Sequence, residues 1–279
     1  MEILLAKSAG FCFGVKRATN MAFDAAREHP KICSHGPIIH SPQMVEKLRE
    51  QGVDVVSDID EINDGAVIIR SHGISADELH RILAKDLNII DATCPFVKKA
   101  QDIAGQLSRD GYAVVLAGEA EHPEVQGIIS YAGNKDVFTV ANLEEAEKLP
   151  YLKKIGIVAQ TTQSYDNFAR IVEACLSKCQ ELRVFNTICD ATTVRQQEAR
   201  SLAGQADLML VIGGYNSANT SRLARICKKI QPVTYHIETA AEIRDEWFGQ
   251  IDSVGITAGA STPQWIIDEV YERVAQVGK

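Results

Sequence analysis

The sequence predicts an α/β protein made of three similar units with mainly parallel sheets. Short β-branched runs alternate with amphipathic helical stretches along the 279 residues, which is typical of strands joined by crossover helices. Twelve runs have strand character, and they divide into three groups of four. Three cysteines in the same local setting, Cys12, Cys94 and Cys189, accompany the three groups and divide the chain into approximate thirds.

Each predicted strand combines apolar, often β-branched residues with a short length, and a turn or helix-start residue follows it. The strands are, in chain order, Ile3–Ala6, Ile32–Ser34, Val53–Val56, Val67–Arg70, Ile89–Asp91, Val114–Ala117, Val137–Val140, Ile155–Ala159, Val184–Asn186, Leu208–Ile212, Val233–His236 and Val254–Thr257. Among the helices between them, the clearest patterns cover Val97–Arg109, Tyr165–Cys179 and Trp265–Val277. No Pro/Gly/Ser-rich linker separates the units. We predict domains at 13–95, 96–190 and 191–279, the last completed by residues 1–12.

Composition excludes several classes of protein. A hydrophobic content of 46% and a charged content of 24% are typical of a globular protein with a core. The net charge of −8 argues against a general nucleic-acid binder. No apolar run is long enough to span a membrane, and no signal peptide is evident. Seven cysteines without a compact framework favour a reducing compartment, so a cytoplasmic location is expected.

The three cysteines each follow a β-like run and precede a helical stretch with early basic residues. Their segments are EILLAKSAGFCFGVKRA, LNIIDATCPFVKKA and LRVFNTICDATTVRQQEA. Helix N-termini favour a thiolate, and so do the nearby cations Lys16, Arg17, Lys98 and Arg195. One thiolate per unit suits a pseudo-threefold protein that holds one cluster in a prefolded central cavity.

A single cysteine before a helix is usually structural, and only the threefold recurrence favours a ligand role. Cys33 and Cys227 lack this setting. Cys175 and Cys179 are four residues apart on a predicted amphipathic helix, where core packing is the simpler explanation. We therefore predict that these four cysteines are not ligands.

Polar side chains follow the predicted strands, at the sheet edge where parallel α/β proteins bind ligands. Backbone N–H groups at helix starts there suit an oxyanion such as diphosphate. Each residue alone has an ordinary explanation, because Ser, Thr and Asn commonly cap helices and an acidic residue is favoured in a first turn. Their convergence carries the prediction; the residues are His35, His40, Ser41, Ser71, His72, His122, Glu124, Thr161, Thr162, Gln163, Ser217, Asn219, Thr220, Ser261 and Thr262.

Several common motifs are absent from the sequence: G-x-G-x-x-G, the phosphate-binding P-loop, H-E-x-x-H and C-x-x-C. Their absence argues against a nicotinamide enzyme, a P-loop ATPase and a zincin. Three thiolates on a 4Fe–4S cluster leave one iron with an open site, which can relay electrons and act as a Lewis acid.

The chain resembles the 4-hydroxy-3-methylbut-2-enyl diphosphate reductase family from about Lys7 to Trp265. The matching segments are AGFCFGVKRA, GPIIHSPQMVEKL, IIRSHG, DATCPFV, GEAEHPEVQG, AQTTQS, CDATTVRQ, NSANTSRL and ITAGASTP. The resemblance implies three α/β domains in a trefoil around a central iron–sulfur cavity. It also implies an iron–sulfur oxidoreductase for the last step of the non-mevalonate pathway of isoprene biosynthesis.

The resemblance implies a role for each matching residue. Cys12, Cys94 and Cys189 would hold one 4Fe–4S cluster with an open iron site. Glu124 would deliver a proton, and His122 and Thr161 would join it around the allylic alcohol, with Thr162 in a possible further substrate contact. The residues implied for the substrate diphosphate are His40, His72, His122, Ser217, Ala218, Asn219 and Ser261. Many family members carry Ser where this chain has Ala218, so only its backbone N–H can serve.

The implied reaction removes an allylic hydroxyl with two electrons and two protons, and it gives isopentenyl and dimethylallyl diphosphate. An acidic side chain in a water-poor pocket holds its proton to higher pH, which suits Glu124 for proton delivery. The expected partners are the allylic diphosphate and an electron donor such as ferredoxin or flavodoxin, with no nucleic acid and no membrane. Two alternatives stay open: a non-catalytic iron–sulfur sensor of a small phosphorylated metabolite, and a zinc hydrolase.

Overall fold

The computed structural model describes residues 1–133 and 136–278. Over this part of the chain there are twelve strands and ten α-helices, and no helix there is both long and apolar enough to cross a membrane. The elements are β1 (Glu2–Leu5), α1 (Phe13–Glu28), β2 (Ile32–His35), α2 (Pro42–Arg49), β3 (Val53–Val56), β4 (Ala66–Ile69), α3 (Ala76–Leu83), β5 (Asn88–Asp91), α4 (Pro95–Arg109), β6 (Ala113–Ala117), α5 (Pro123–Tyr131), β7 (Val137–Val140), α6 (Leu143–Glu147), β8 (Leu152–Ala159), α7 (Tyr165–Leu176), β9 (Cys179–Val184), α8 (Asp190–Ala203), β10 (Leu208–Ile212), α9 (Ala218–Ile230), β11 (Thr234–Ile237), β12 (Ser253–Ala258) and α10 (Gln264–Val277).

The strands form three four-stranded parallel sheets with one shared topology. Their orders are β1-β12-β10-β11, β5-β4-β2-β3 and β9-β8-β6-β7. The first strand lies beside the last, with Ile3 paired to Val254. Strands β1, β5 and β9 therefore occupy equivalent edges, and each leads to one of the three cysteines that mark the units. The α/β class and the three similar parallel-sheet units are confirmed.

The chain divides into two compact units. The terminal unit comprises Met1–Lys16, His40–Met44 and Asp190–Lys279, and it contains the sheet with β1. The middle unit comprises Arg17–Ile39 and Val45–Cys189, and it contains the other two sheets. The three predicted domains, 13–95, 96–190 and 191–279 with 1–12, stay a prediction.

Central strands supply the core of each unit. Strands β4, β6 and β10 are buried along their whole length, and the last five residues of β8 are buried as well. Because the side chains on both faces of these strands are buried, their sequences are continuous apolar runs. Those runs end abruptly at polar loops, and the loops carry the predicted site residues.

The prediction that Cys175 and Cys179 share one helix is wrong. Helix α7 ends at Leu176, and Cys179 begins β9, where it pairs with Leu152. Strand β9 also begins about five residues earlier than the predicted Val184–Asn186. Only Cys179 and Leu182 of this edge strand are half-buried, so it lacks the apolar run that reveals a strand.

A buried histidine and a glutamate join β2 to the start of α3. His35 Nε2 lies 2.9 Å from Glu78 Oε1, and Glu78 Oε2 accepts a 2.7 Å hydrogen bond from the Ser75 backbone N–H. The hydrogen bond with His35 is the main cause that lowers the pKa of Glu78 from 4.5 to about 2. Because the pKa of Glu78 is lowered, the contribution of this contact to the stability of the fold depends on pH.

Because the folded pKa of Glu78 lies below the unfolded value, its contribution to stability is complete above about pH 4.5 and is lost as the pH falls toward 2. We expect Glu78→Gln to be less stable than the wild type near pH 6. The difference in free energy of unfolding should shrink steadily below pH 4.5. Urea unfolding of both proteins across this range checks the prediction, and a difference that does not change with pH would contradict it.

Candidate active site

The three predicted cysteine ligands occupy equivalent positions in the fold. Each is the residue immediately before a helix: Cys12 before α1, Cys94 before α4 and Cys189 before α8. Each cysteine N–H donates to a carbonyl in the loop that follows the neighbouring strand. The pairs are Cys12 with Ala260 at 3.1 Å, Cys94 with Ser71 at 2.9 Å and Cys189 with Thr161 at 3.0 Å.

The other four cysteines have surroundings that disfavour the thiolate. Burial raises the pKa of Cys175 to about 11 and that of Cys227 to about 12. Burial, with a smaller contribution from Asp54, also raises the pKa of Cys33, and burial raises that of Cys179. Since the thiolate is the form that binds metals, burial disfavours a ligand role for these four side chains.

The loops that accept the cysteine N–H groups form the same turn three times. A backbone hydrogen bond closes each turn between its first and fourth residues: Arg70 to Gly73, Gln160 to Gln163, and Gly259 to Thr262. The second residue of each turn carries the carbonyl that accepts from the cysteine. The third residues are His72, Thr162 and Ser261, and all three are predicted site residues.

In the middle unit, the structure brings Glu124 and Thr161 together. Glu124 is 2% exposed and lies in the first turn of α5. Its Oε1 accepts a 2.6 Å hydrogen bond from the Thr161 N–H, and its Oε2 accepts a 2.9 Å bond from Thr161 Oγ1. The carboxylate therefore reaches across to the turn after β8.

His122 caps helix α5. It is the N-cap residue of α5, and its Nδ1 accepts a 3.1 Å hydrogen bond from the Glu124 N–H. Because Nδ1 accepts, the neutral ring carries its proton on Nε2. The ring of His72 packs edge-on against it, with centroids 5.8 Å apart. The middle unit thus gathers His72, His122, Glu124 and Thr161, with Thr162 next in the chain.

In the terminal unit, His40 lies beside the loops after β10 and β12. Ser261 Oγ donates to the His40 carbonyl at 3.0 Å. Ser217 caps α9 and accepts hydrogen bonds from the Thr220 N–H at 3.3 Å and Thr220 Oγ1 at 3.1 Å. Ala218 and Asn219 form the first turn of α9 and are buried. The five residues predicted for the diphosphate in this unit therefore belong to adjoining segments.

In the sequence, Thr220 and Thr262 stand out only as polar side chains after strands, and their packing role is not visible there. A Cβ on Gly213 would lie within 2.6 Å of Thr262 Oγ1 and 2.8 Å of Thr220 Oγ1, and one on Gly259 would also collide with Thr220. Gly213 has φ of +143°, which other residues rarely adopt. Glycine at both strand ends is the signal for this close approach.

The residues in each unit suit the groups predicted for them. In the terminal unit, Asn219 Nδ2 is a buried donor for which the described residues provide no hydrogen-bond partner. A donor of this kind at a helix N-terminus fits an anion such as a phosphate group. The half-buried thiols of Cys12, Cys94 and Cys189, each at a helix start, fit a cluster that takes one thiolate per iron. Within residues 1–133 and 136–278, no group of three His, Cys, Asp or Glu is close enough to hold a single metal ion.

Comparison with known proteins extends the resemblance to the whole chain. A reductase of Syntrophotalea carbinolica named 4-hydroxy-3-methylbut-2-enyl diphosphate reductase is 63% identical over 279 residues, which are 100% of both chains. Proteins of the same name from Geotalea uraniireducens and Geobacter metallireducens are 58% and 60% identical. These matches cover 100% and 99% of this chain, and 99% and 98% of the relatives.

Two solved structures are also similar. One is described as (E)-4-hydroxy-3-methyl-but-2-enyl diphosphate reductase, the terminal enzyme of the non-mevalonate pathway. It is 46% identical with a TM-score of 0.70, over 99% of this chain and 100% of its own. The other, E-1-hydroxy-2-methyl-but-2-enyl-4-diphosphate reductase from Plasmodium falciparum, is 26% identical with a TM-score of 0.91, over 100% and 88%. The family model described as LytB protein matches residues 3–275, and this chain belongs to the LytB family.

Proposed function

We propose that this chain is an iron–sulfur oxidoreductase that reduces 4-hydroxy-3-methylbut-2-enyl diphosphate to isopentenyl and dimethylallyl diphosphate. The names of full-length relatives support catalysis over the sensor and the zinc hydrolase. One observation in the structure carries the proposal. Thr161 binds the buried Glu124 carboxylate through its N–H and Oγ1, while its carbonyl accepts the N–H of Cys189. A single residue therefore joins the proposed acid to a proposed cluster ligand.

Cys12, Cys94 and Cys189 are the proposed ligands of one 4Fe–4S cluster. When bound, the cluster supplies electrons and, at an iron without a protein ligand, Lewis acidity toward the allylic hydroxyl. The raised thiol pKa values of Cys33, Cys175, Cys179 and Cys227 support the choice of these three. A protein such as ferredoxin or flavodoxin is the proposed electron donor, and a cytoplasmic location stays a prediction.

Glu124 is the proposed proton donor. The reaction consumes two electrons and two protons: one proton leaves with the hydroxyl as water, and the other ends on carbon. Glu124 is buried, and both of its oxygens are oriented by Thr161. This orientation restricts the carboxyl group to few rotamers, as proton transfer to a positioned substrate requires. His122, whose Nδ1 accepts from the Glu124 N–H, helps to orient the same helix turn.

The terminal unit supplies the proposed diphosphate contacts. His40, Ser217, Asn219 and Ser261 contribute side chains, and Ala218 contributes its backbone N–H at the start of α9. Helix N-termini stabilise anions through unpaired N–H groups and the helix dipole. The diphosphate would provide binding energy remote from the reacting carbon, which orients the alcohol. The assignment of His72 and His122 to the same diphosphate, and the substrate contact of Thr162, stay predictions.

The function is tested by anaerobic reconstitution with iron and sulfide, followed by reduction of the hydroxylated diphosphate with dithionite-reduced methyl viologen as the electron source. We expect a brown protein and both isoprenoid diphosphates as products. A reconstituted protein that binds the substrate without turnover would indicate the sensor. A colourless protein that contains zinc would indicate the hydrolase.

Asn219→Ala tests the diphosphate site. The variant removes the buried donor Nδ2, and a hydrogen bond to a charged group contributes about 1.5–3 kcal/mol. The dissociation constant for substrate should therefore rise roughly ten- to hundredfold, while the visible spectrum of the cluster stays unchanged. Isothermal titration with substrate or inorganic diphosphate measures the change, and Asn20→Ala on the exposed face of α1 is the control. If Asn219→Ala bound the diphosphate as tightly as the wild type, the diphosphate site would have to be assigned to other residues.

A further inference from the structure

Arg17 binds the loop that precedes Cys94. This half-buried residue lies on α1, five positions after Cys12. Its Nη1 donates to the Thr93 carbonyl at 3.2 Å, and its Nη2 donates to the Asp91 carbonyl at 3.4 Å. The Asp91 side chain accepts from the Thr93 N–H at 3.0 Å and pairs with Lys98 at 2.8 Å. Arg17 of α1 therefore fixes the segment before Cys94 through its carbonyl groups. Lys98 of α4 fixes it through the Asp91 side chain.

Arg195 binds the loop that precedes Cys12 in the same way. It lies on α8, six positions after Cys189, and is 4% exposed. Its Nε donates to the Ser8 carbonyl at 3.0 Å, and its Nη2 donates to the Gly10 carbonyl at 2.8 Å. One helical turn later, Glu198 accepts from the backbone N–H groups of Lys7 at 2.7 Å and Ser8 at 2.8 Å. Side chains of α8 thus bind both the carbonyl groups and the N–H groups of this loop.

The two contacts follow one rule. Each guanidinium lies on the helix that follows one cysteine and binds two main-chain carbonyls just before a different cysteine. The sequence suggested only that these cations would act on the cysteine at the start of their own helix. Guanidinium suits the task because its forked donors reach two acceptors at once and its charge persists at any working pH.

We propose that Arg17 and Arg195 are positioning residues for the iron–sulfur centre, Arg17 through the loop of Cys94 and Arg195 through the loop of Cys12. The inference rests on the proposed cluster. A fixed loop presents its thiolate without a further loss of conformational freedom when the cluster is assembled. Because Arg195 is buried and works together with Glu198, its loss has the larger effect.

The experiment compares Arg17→Gln and Arg195→Gln with Arg27→Gln. Arg27 is an exposed residue at the far end of α1, where it pairs only with the exposed Asp24 among the contacts described. In cluster-free protein, each cysteine is alkylated under native conditions and quantified by peptide mass spectrometry. We expect Arg17→Gln to change the labelling rate of Cys94 and not that of Cys12, and Arg195→Gln to do the reverse. Arg27→Gln should change neither.

In reconstituted protein, the rate of iron release to a chelator should rise about tenfold in Arg17→Gln and more in Arg195→Gln. Buried Cys175 and Cys227 report global unfolding, because both are fully buried. If a Gln variant exposes these two thiols, the corresponding Lys variant decides the question. Lysine keeps the charge but cannot span both carbonyls, so iron release should lie between the wild-type and Gln rates.

The positioning role would be overturned if Cys12 and Cys94 were labelled at their wild-type rates in every variant and iron were also released at the wild-type rate. Labelling that rises uniformly at all seven cysteines in both the Gln and the Lys variants would also overturn it, because the arginines would then serve only global stability. Failure of the proposed centre is distinguishable from both outcomes, since the wild-type protein would then take up no cluster at all.

Discussion

Glu124→Gln should lower turnover about a hundredfold or more, the range expected when a general acid is lost. The substitution keeps the shape of the side chain. Its amide oxygen can still accept from the Thr161 N–H, and the Thr161 hydroxyl can rotate to accept from the new amide group. Only the transferable proton is removed. Cluster content and substrate affinity should therefore stay close to those of the wild type.

The measurement pairs turnover with iron content and substrate binding in the same sample. Glu121→Gln is a matched control, because Glu121 is exposed in the same loop. Near-normal turnover in Glu124→Gln would reduce the residue to a structural link between the start of α5 and the turn after β8. The N-cap of α5 is His122, whose ring accepts the Glu124 N–H.

Cys94→Ser, Cys12→Ser and Cys189→Ser should each strip or severely destabilise the cluster and abolish turnover. A serine hydroxyl is far less acidic than a thiol and is a poor substitute for a soft thiolate ligand on iron. Iron and sulfide analysis after anaerobic reconstitution, together with the visible spectrum, measures the loss. The effect should be close to complete for all three variants, because each cysteine is the only proposed ligand in its loop.

Cys33→Ser, Cys175→Ser and Cys227→Ser are the controls. They should retain the iron content of the wild type, although a hydroxyl at the fully buried positions Cys175 and Cys227 should lower thermal stability. A Cys94→Ser protein that remains replete with iron would contradict the ligand assignment. A Cys175→Ser protein that loses iron while still folded would contradict it as well.

Much of the fold was readable from the sequence because its central strands are buried on both faces. Runs such as those of β6 and β10 are continuously apolar, and a polar residue or glycine at the carboxyl end marks where each stops. The same ends carry the proposed site, so locating the strands also located Glu124, Thr161, Ser217 and Ser261. The family resemblance then supplied roles for these residues, which pattern and spacing do not contain.

The features that could not be predicted from the sequence depend on contacts between distant residues or on edge strands. Strand β9 is mostly exposed, so its pattern gave no clear strand signal, and Cys179 was placed on the wrong element. Glu124 contacts Thr161 across 37 positions, and Arg195 contacts Ser8 across 187. No local pattern encodes such pairs. The arginines were recognised as cations near cysteines, but which loop each one holds is decided by the packing of helices.

The pairing of β1 with β12 also sets an order of events during synthesis. The N–H of Cys12 bonds to the carbonyl of Ala260, which leaves the ribosome about 250 residues later, on the order of 10–50 s at ~5–20 residues per second. The partners of Cys94 and Cys189 lie within about 30 residues of them, so those two loops can close while translation continues. The first cysteine to be made is therefore the last to be fixed in place. The proposed cluster needs all three cysteines, so we expect it to be assembled only after residue 260 has been made.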